Sequence, residues 1–194
     1  MEKHFSHKLI LASGSPRRKQ LLQEMGIHFE VKTKPEIAED FSINLKNEEI
    51  AMFLSNHKFE QYVKDIEDDE LFLTADTIVC LKGEVIGKPE DKDDAIKMLS
   101  KLSGNTHTVY TGITLGNKTK RETTYDATHV TFKKLESAEI EWYVNKYKPF
   151  DKAGAYGIQD WIGYIAIEKI EGSYYNVMGL PTHKVYELLQ NYLA

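Results

Sequence analysis

Cysteine is almost absent from this sequence, which holds one, Cys80, in 194 residues. A single cysteine excludes an intramolecular disulfide and any metal site built from a cysteine cluster. No apolar run reaches the ~20 residues that span a bilayer, and the start, Met1–Lys8, lacks the apolar segment of a signal peptide. We therefore expect a soluble, cytoplasmic protein that does not associate with membranes.

Positive charge is also in short supply, since 25 Lys and Arg face 30 Asp and Glu and the net charge is −5. This balance provides no general basic surface for nucleic acid, so an anion would have to be held by a local group of basic side chains. We expect a small molecule, not a nucleic acid, as the partner. The length suits one substantial core, and residues 1–194 are taken as a single domain.

Strand and helix patterns alternate along the chain and predict a mixed α/β fold with a sheet flanked by helices. An apolar strand at 8–12 leads through a Ser-Gly turn into a helix at 16–25, an order typical of α/β proteins. Further helices are expected at 48–63, 93–102, 137–148 and 182–193, with Ser137 as the cap of the third of these. Further strands are expected at 29–31, 71–81 (as a broken pair), 106–115, 123–132 and 161–170. The acidic run 65–70 predicts a solvated loop.

Two arginines, Arg17 and Arg18, stand in the first turn of the first predicted helix. Ser15 suits the N-cap and Pro16 the first helical position. Because the helix dipole is positive at this end, each arginine opposes it by ~0.3–1 kcal/mol unless an anion offsets the charge. The small residues around Ser13 let backbone amides approach a phosphate. The pattern fits either a phosphate site or a solvated basic turn.

Asp76 interrupts the apolar strand expected at 71–81. An unpaired buried carboxylate costs several kcal/mol, so a cation, a metal or hydrogen-bond donors must compensate it. The alternative is a strand-end carboxylate bonded to backbone amides. In a phosphate site, the carboxylate would serve as a general base or a metal ligand.

Two later segments could complete a ligand site. Lys88 lies in a Gly-Lys-Pro turn just after a predicted hairpin that would turn it back towards the preceding strand, although a lysine in a turn is usually solvated. Residues 151–159 include two glycines that permit close approach to a ligand, and Gln159 offers a donor and an acceptor to a base edge. A glycine-rich turn is the alternative there.

We expect a structural hydrogen bond for His107 and an exposed position for His183.

Six segments in order along the chain carry a recognisable pattern: residues 11–18 (LASGSPRR), 75–79 (ADTIV), 87–89 (GKP), 102–107 (LSGNTH), 151–159 (DKAGAYGIQ) and 172–181 (GSYYNVMGLP). Together they resemble the Maf family of nucleoside triphosphate pyrophosphatases. The resemblance implies an elongated α/β fold with two lobes around a nucleotide cleft, related to the inosine-triphosphate pyrophosphatases. It also implies hydrolysis of a nucleotide to its monophosphate and pyrophosphate with Mg²⁺ or Mn²⁺. The alternative is a nucleotide-binding regulator of cell division, because the family name comes from septum formation.

The resemblance also implies roles for individual residues. The phosphate contacts would be Ser13, Arg17, Arg18, Lys58 and Lys88. Asp76 would be the proton acceptor and, with Glu39, would hold the metal. Ala38 replaces an acid that the family usually has beside Glu39, and Glu36 or Asp40 could share the role.

Three positions distinguish the branches of the family by substrate. Arg17, Thr77 and Gln159 resemble the branch that hydrolyses dTTP and UTP, whereas the 7-methyl-GTP branch has Trp, Gln and Glu there. An amide at residue 159 pairs with the donor and acceptor edge of a pyrimidine, while a carboxylate suits the donor-rich edge of guanine. A monomer and a homodimer are both compatible with the sequence.

Overall fold

The computed structural model describes residues 7–35 and 45–192, which form seven strands and seven α-helices. The strands are β1 (Lys8–Leu11), β2 (Glu30–Val31), β3 (Glu70–Leu81), β4 (Glu84–Ile86), β5 (Thr106–Gly116), β6 (Arg121–Phe132) and β7 (Ile167–Glu171). The helices are α1 (Pro16–Glu24), α2 (Asn47–Glu60), α3 (Lys92–Leu102), α4 (Ser137–Tyr147), α5 (Trp161–Ala166), α6 (Tyr174–Met178) and α7 (Thr182–Gln190).

The strands form one mixed sheet in the order β2-β1-β3-β5-β6-β7, with β4 paired to β3. Strand β1 runs parallel to both β2 and β3, whereas β4 is antiparallel to β3 and β7 to β6. The predicted fold class, a mixed sheet accompanied by helices, is confirmed. The β3–β4 pair is the hairpin that the sequence predicted ahead of Lys88.

The chain divides into two compact units, each built from segments that are distant in sequence. Unit 1 takes the described residues up to Asp76, then Thr111–Asp126, and those from Gly179 onward. Unit 2 takes Thr77–Tyr110 and Ala127–Met178. The single domain over residues 1–194 stays a prediction.

The core of unit 1 lies where β1 and β3 run side by side. Leu9 pairs with Leu71 and Leu11 with Leu73, and all four are buried. A parallel pair covered on both faces requires such continuous apolar runs. A hydrophobic cluster includes three aromatic side chains and is formed by Ile10, Ala12, Phe59, Tyr62, Ile66 and Phe72.

Unit 2 contains a buried histidine among aromatic rings. His107 is 1% exposed, and its Nε2 lies 2.7 Å from the Tyr156 hydroxyl. The rings of Phe132 and Tyr156 meet the imidazole edge-on at centroid distances of 5.0 and 5.4 Å. Burial lowers the pKa of His107 to about 4, so the ring is neutral at pH 7. The expected structural hydrogen bond is confirmed.

The strand predicted at 161–170 is wrong in its first half. Residues 161–166 form helix α5, and only Ile167–Glu171 is a strand. Ile162 and Ala166 are four residues apart and both buried, which is helical spacing. The burial of Ile162 and Ala166 therefore follows the period of a helix and not the alternation of a strand.

Two smaller expectations are also corrected, one for the cap of α4 and one for the continuity of β3. Ser137 is the first residue of α4, and the cap is Glu136, whose backbone N–H donates to Glu139 Oε2 at 2.8 Å. Residues 71–81 form one continuous strand with Glu70, not a broken pair. Thr74 and Asp76 do not break it.

The acidic run 65–70 is not wholly solvated, because Glu70 is only 1% exposed at the start of β3. Lys32 Nζ donates to its carboxylate at 2.5 Å, and the Glu67 N–H donates at 3.1 Å. Burial alone would raise the pKa of Glu70, but these donors hold it below its usual value.

In the part of the chain that the structure describes, none of the helices is long and apolar enough to cross a membrane.

The buried His107 predicts a loss of stability in mild acid. Its folded pKa of about 4 lies below the unfolded value, so the unfolded state binds more protons between these values. The stabilisation is therefore complete above the unfolded pKa of about 6.5 and is lost as pH falls towards 4. We expect His107→Gln to reduce the drop in unfolding free energy between pH 7 and pH 4.5 by about 2–3 kcal/mol. Urea denaturation at the two pH values measures it, with the exposed His28→Gln as control; equal drops in all three proteins would contradict the assignment.

Candidate active site

The turn between β1 and α1 is built as the sequence predicts. Ser15 caps the helix, its Oγ accepting from the Arg18 N–H at 3.5 Å, and Pro16 is the first helical residue. The first turn of α1 contains no acidic residue. The positive end of the helix dipole thus coincides with two arginine side chains, an arrangement that favours an anion.

The Arg18 guanidinium is held in place by two hydrogen bonds. Its Nη1 donates to Ser13 Oγ at 3.3 Å, and its Nε donates to the Gly179 carbonyl at 2.8 Å. The first contact is local, whereas the second joins residues 161 positions apart and has no signature in the sequence. A guanidinium fixed in this way presents its planar fork to a phosphate at a low entropic cost.

Asp76 and Lys58 form an ion pair, in which the Lys58 ammonium donates to Asp76 Oδ1. The side chains are 8% and 24% exposed, respectively. Of the compensating groups that the sequence left open for the buried carboxylate, the structure therefore supplies a cation. The pairing brings together two residues predicted to belong to one site.

A hydrogen bond joins α2 to β3 close to the ion pair. Thr74 precedes Asp76 by two residues and so shares its face of the strand. Ser55 precedes Lys58 by three residues and so lies on the same side of the helix. The Thr74 hydroxyl donates to the Ser55 carbonyl at 2.8 Å, which fixes the helix one turn before Lys58.

Helix α2 also approaches β5 closely at Gly112. A Cβ on Gly112 would overlap the backbone carbonyl of Ala51, in the first half of the helix. Gly112 does not have a positive φ, so the glycine serves close packing and not an unusual backbone conformation. The depth at which α2 sits on the sheet depends on this missing side chain.

Strand β1 ends beside the first half of β3. Leu11 pairs with Leu73, and the Ala12 N–H donates to the Leu73 carbonyl at 2.9 Å. The chain therefore leaves the sheet towards Ser13 beside the residues of β3 that lead to Asp76. In parallel sheets, ligands bind outside the carboxyl ends of strands.

The other three predicted substrate contacts lie in unit 2. Thr77 follows Asp76 in β3 and is half-buried. Lys88 is exposed after β4, next to Gly87, whose carbonyl accepts from the Gly154 N–H at 2.9 Å. Gln159 is half-buried, and among the described residues its buried Oε1 has no hydrogen-bond partner. Such an acceptor is expected to bind a ligand donor or water.

The loop before Gln159 is held rigidly. The Tyr143 hydroxyl accepts from the Gly157 N–H at 3.1 Å and donates to Asp160 Oδ2 at 2.9 Å. Burial raises the pKa of Tyr143, so the phenol stays protonated and can donate. Gly154 has a φ of +70°, which favours glycine. The glycine-rich turn that the sequence offered as the alternative is present and is anchored from α4; close approach to a ligand stays a prediction.

Of the two metal ligands predicted from the sequence, the structure describes Asp76 but not Glu39. Glu39 and its alternatives, Glu36 and Asp40, lie outside the described residues. Over residues 7–35 and 45–192, no group of three or more His, Cys, Asp or Glu side chains could hold a metal ion. The Asp76 carboxylate is a hard oxygen donor of the type that Mg²⁺ and Mn²⁺ prefer. His183 is exposed, as expected.

A family model described as Maf-like protein matches residues 8–192. Proteins named dTTP/UTP pyrophosphatase are similar over nearly the whole length. That of Phocaeicola vulgatus is 50% identical over 95% of each chain, and that of Flavobacterium psychrophilum is 50% identical over 95% of this chain and 94% of the relative. That of Porphyromonas gingivalis W83 is 45% identical over 96% and 94%, respectively.

Similarity to solved structures is lower. A nucleoside-triphosphatase, or dITP/XTP pyrophosphatase, from Mycobacterium abscessus is 12% identical, with a TM-score of 0.41 over 66% of this chain and 75% of that chain. A HAM1 protein from Coxiella burnetii is 16% identical, with a TM-score of 0.42 over 65% and 73%. Scores at this level do not establish a common fold, and the expected relation to inosine-triphosphate pyrophosphatases stays a prediction.

The ion pair predicts coupled effects on stability. Lys58→Met leaves the Asp76 carboxylate buried without its cation and should lower the unfolding free energy by about 2–4 kcal/mol. Adding Asp76→Asn removes the charge, so the double variant should be more stable than Lys58→Met alone. Urea denaturation of the wild type, both single variants and the double variant measures the coupling. Additive losses would show that the pair contributes nothing.

Proposed function

Because this chain belongs to the family of Maf-like proteins, we propose that it is a nucleoside triphosphate pyrophosphatase acting on dTTP and UTP. The products are the nucleoside monophosphate and pyrophosphate. The observation that carries the proposal is the ion pair between the buried Asp76 carboxylate and the half-buried Lys58, in the same unit as the turn that leads to Arg18. It supplies a carboxylate for water and cations for phosphate in one unit of the fold.

The first step is binding of the triphosphate. Arg18, oriented by Ser13 and Gly179, pairs with phosphate oxygens through its planar fork. Arg17 and the start of α1 add positive potential at the same place. Lys58 and Lys88 are further phosphate contacts in this proposal.

The second step is attack by water on the α-phosphorus. Asp76 accepts a proton from the water as the oxygen bonds to phosphorus. The bond from the α-phosphorus to the oxygen bridging to the β-phosphate breaks, and pyrophosphate leaves with that oxygen. The Lys58 ammonium compensates the carboxylate charge of Asp76 before substrate arrives and remains near the phosphates as charge develops.

We also propose a divalent cation, Mg²⁺ or Mn²⁺, held by Asp76 and Glu39. When bound, such an ion neutralises charge on the phosphate oxygens. The oxygen chemistry of Asp76 suits it, since Mg²⁺ in phosphate sites is commonly held by one or two carboxylates together with the substrate.

Selection of the base is assigned to Gln159 and Thr77. The N3–H of uracil or thymine is a donor that would satisfy the buried Gln159 Oε1, whereas cytosine presents an acceptor at N3. A wrong base would leave that oxygen unpaired, which is how a polar pocket discriminates strongly. The amide at this position therefore supports the pyrimidine branch, and specifically its UTP and dTTP members.

The deciding experiment is pyrophosphate release from a panel of triphosphates with Mg²⁺ or Mn²⁺. We expect kcat/KM for UTP and dTTP to exceed that for CTP and 7-methyl-GTP by at least about tenfold. A preference for CTP or 7-methyl-GTP would contradict the base assignment alone. Tight nucleotide binding without release of pyrophosphate would instead favour the regulator of cell division.

Asp76→Asn tests the catalytic step within the same assay. Loss of a general base lowers turnover by about 10²-fold or more, and we expect this size of loss with circular dichroism unchanged. A variant that retained near wild-type turnover would remove Asp76 from the chemistry while leaving the pyrophosphatase proposal in place.

Arg18→Ala tests the anion site. We expect binding of a non-hydrolysable triphosphate to weaken by ~1.5–3 kcal/mol, the size of a charge-assisted hydrogen bond, with binding of the free nucleoside almost unchanged. Isothermal titration calorimetry measures both, and Lys19→Ala, an exposed neighbour on α1, is the matched control. Equal losses for nucleoside and triphosphate would mean that Arg18 supports the base pocket or the fold.

A further inference from the structure

A chain of hydroxyl groups near the ion pair in unit 1 starts at the exposed Thr123 and runs into the core. Thr123, Thr114 and Ser55 are linked in turn, with oxygen–oxygen distances of 2.9 Å between the threonines and 3.1 Å between Thr114 and Ser55. Ser55 also contacts the Met52 carbonyl at 2.9 Å. Thr74 reaches the same helix through the Ser55 carbonyl. Ser55, Thr74 and Thr114 are fully buried.

The direction of every bond in this chain follows from the number of protons. The Ser55 hydroxyl has one proton, which it donates to Met52, so Thr114 must donate to Ser55. The Thr114 proton is then used, so Thr123 must donate to Thr114. A chain with a single proton arrangement holds its members in one set of rotamers. It therefore ties α2 to β5 and β6 in one fixed register.

The two contacts that surround Ser55 determine where Lys58 lies. Thr74 holds the Ser55 carbonyl from β3, and Thr114 holds its hydroxyl from β5. Lys58 is less than one turn further along α2, and Asp76 is the next residue on the same face of β3 as Thr74. The hydroxyl contacts thus set the spacing at which the lysine meets the carboxylate.

We propose that Thr74 and Ser55 are positioning residues for the Asp76–Lys58 pair. They do not touch substrate in this scheme. They hold α2 and β3 at the separation in which the Lys58 ammonium reaches Asp76. A lysine stem is flexible, so without this anchoring the ammonium would occupy many positions, and loss of placement costs rate even when the groups themselves are present.

The first test is the coupling between Lys58 and Asp76 measured by urea denaturation, which does not depend on any activity. The four-protein cycle of wild type, Lys58→Met, Asp76→Asn and the double variant is repeated with Thr74→Val, which replaces the hydroxyl by a methyl group of similar size. We expect the coupling to fall by at least about half. Thr74→Ser, which keeps the hydroxyl, should restore it.

Ile113→Val is the matched control for a general loss of core stability. Ile113 is fully buried in β5, next to Thr114 but on the opposite face of the strand. It should lower the melting temperature without changing the Lys58–Asp76 coupling. If the Lys58–Asp76 coupling is as large in the Thr74→Val background as in the Ile113→Val background, the positioning role is wrong. Should Thr74→Val not fold, Ser55→Ala is carried through the same cycle.

The second test rests on the proposed function and measures kcat/KM for UTP. Thr74→Val should lower it about tenfold in the wild type but less than about twofold in Lys58→Met, because the hydroxyl acts through that lysine. Equal effects in the two backgrounds would contradict the proposal. If the coupling falls but the wild type hydrolyses no triphosphate, the positioning role stands and the proposed function fails. If the wild type hydrolyses UTP but Thr74→Val leaves the coupling unchanged, the proposed function stands and the positioning role fails.

Discussion

The ion pair between Asp76 and Lys58 imposes the requirements that the rest of unit 1 meets. A carboxylate buried in a largely apolar strand needs a compensating group, and here the Lys58 ammonium supplies it. The cation comes from a different element, so α2 must lie at one depth and one register on the sheet. Gly112, the Thr74 hydroxyl and the hydroxyl chain through Ser55 each restrict one of those degrees of freedom. The need to hold α2 in place therefore explains why the hydroxyl groups of Ser55, Thr74 and Thr114 are buried in the core.

The turn between β1 and α1 follows a different principle, because most of its structure is determined by local sequence. The cap, the proline and the two arginines are contiguous in sequence, and they form the helix start without help from distant residues. The orientation of Arg18 also uses a long-range partner, the carbonyl of Gly179. This backbone acceptor from a distant part of the chain restricts the guanidinium together with the local contact to Ser13.

This contrast explains what could be predicted from sequence. The cap at Ser15, the burial of Asp76 and the structural role of His107 were predictable because short-range pattern and burial cost determine them. The partner of Glu70 was not, since Lys32 lies in a separate segment and an acidic run is usually solvated. Helix α5 was misassigned because its apolar run also fits a strand, and only the burial of Ile162 and Ala166 distinguishes the two.

The contact between Lys58 and Asp76 was harder to predict than the burial of the carboxylate. The pairing of Lys58 with Asp76 depends on how a helix packs on a strand, which periodicity does not specify. A usable signal was nevertheless present: Ser55 and Lys58 share a helix side, and Thr74 and Asp76 share a strand face. Polar residues that recur at matching spacing on two buried elements indicate that the elements pack against each other through them.

Gly112 has a consequence for how this chain can vary. Its backbone conformation is open to any L-amino acid, so the only restriction is the space between β5 and the Ala51 carbonyl. One added methyl group would push α2 outward and carry Lys58 away from Asp76. A substitution at this inner strand position would therefore weaken the ion pair from a distance, although it touches neither charged side chain.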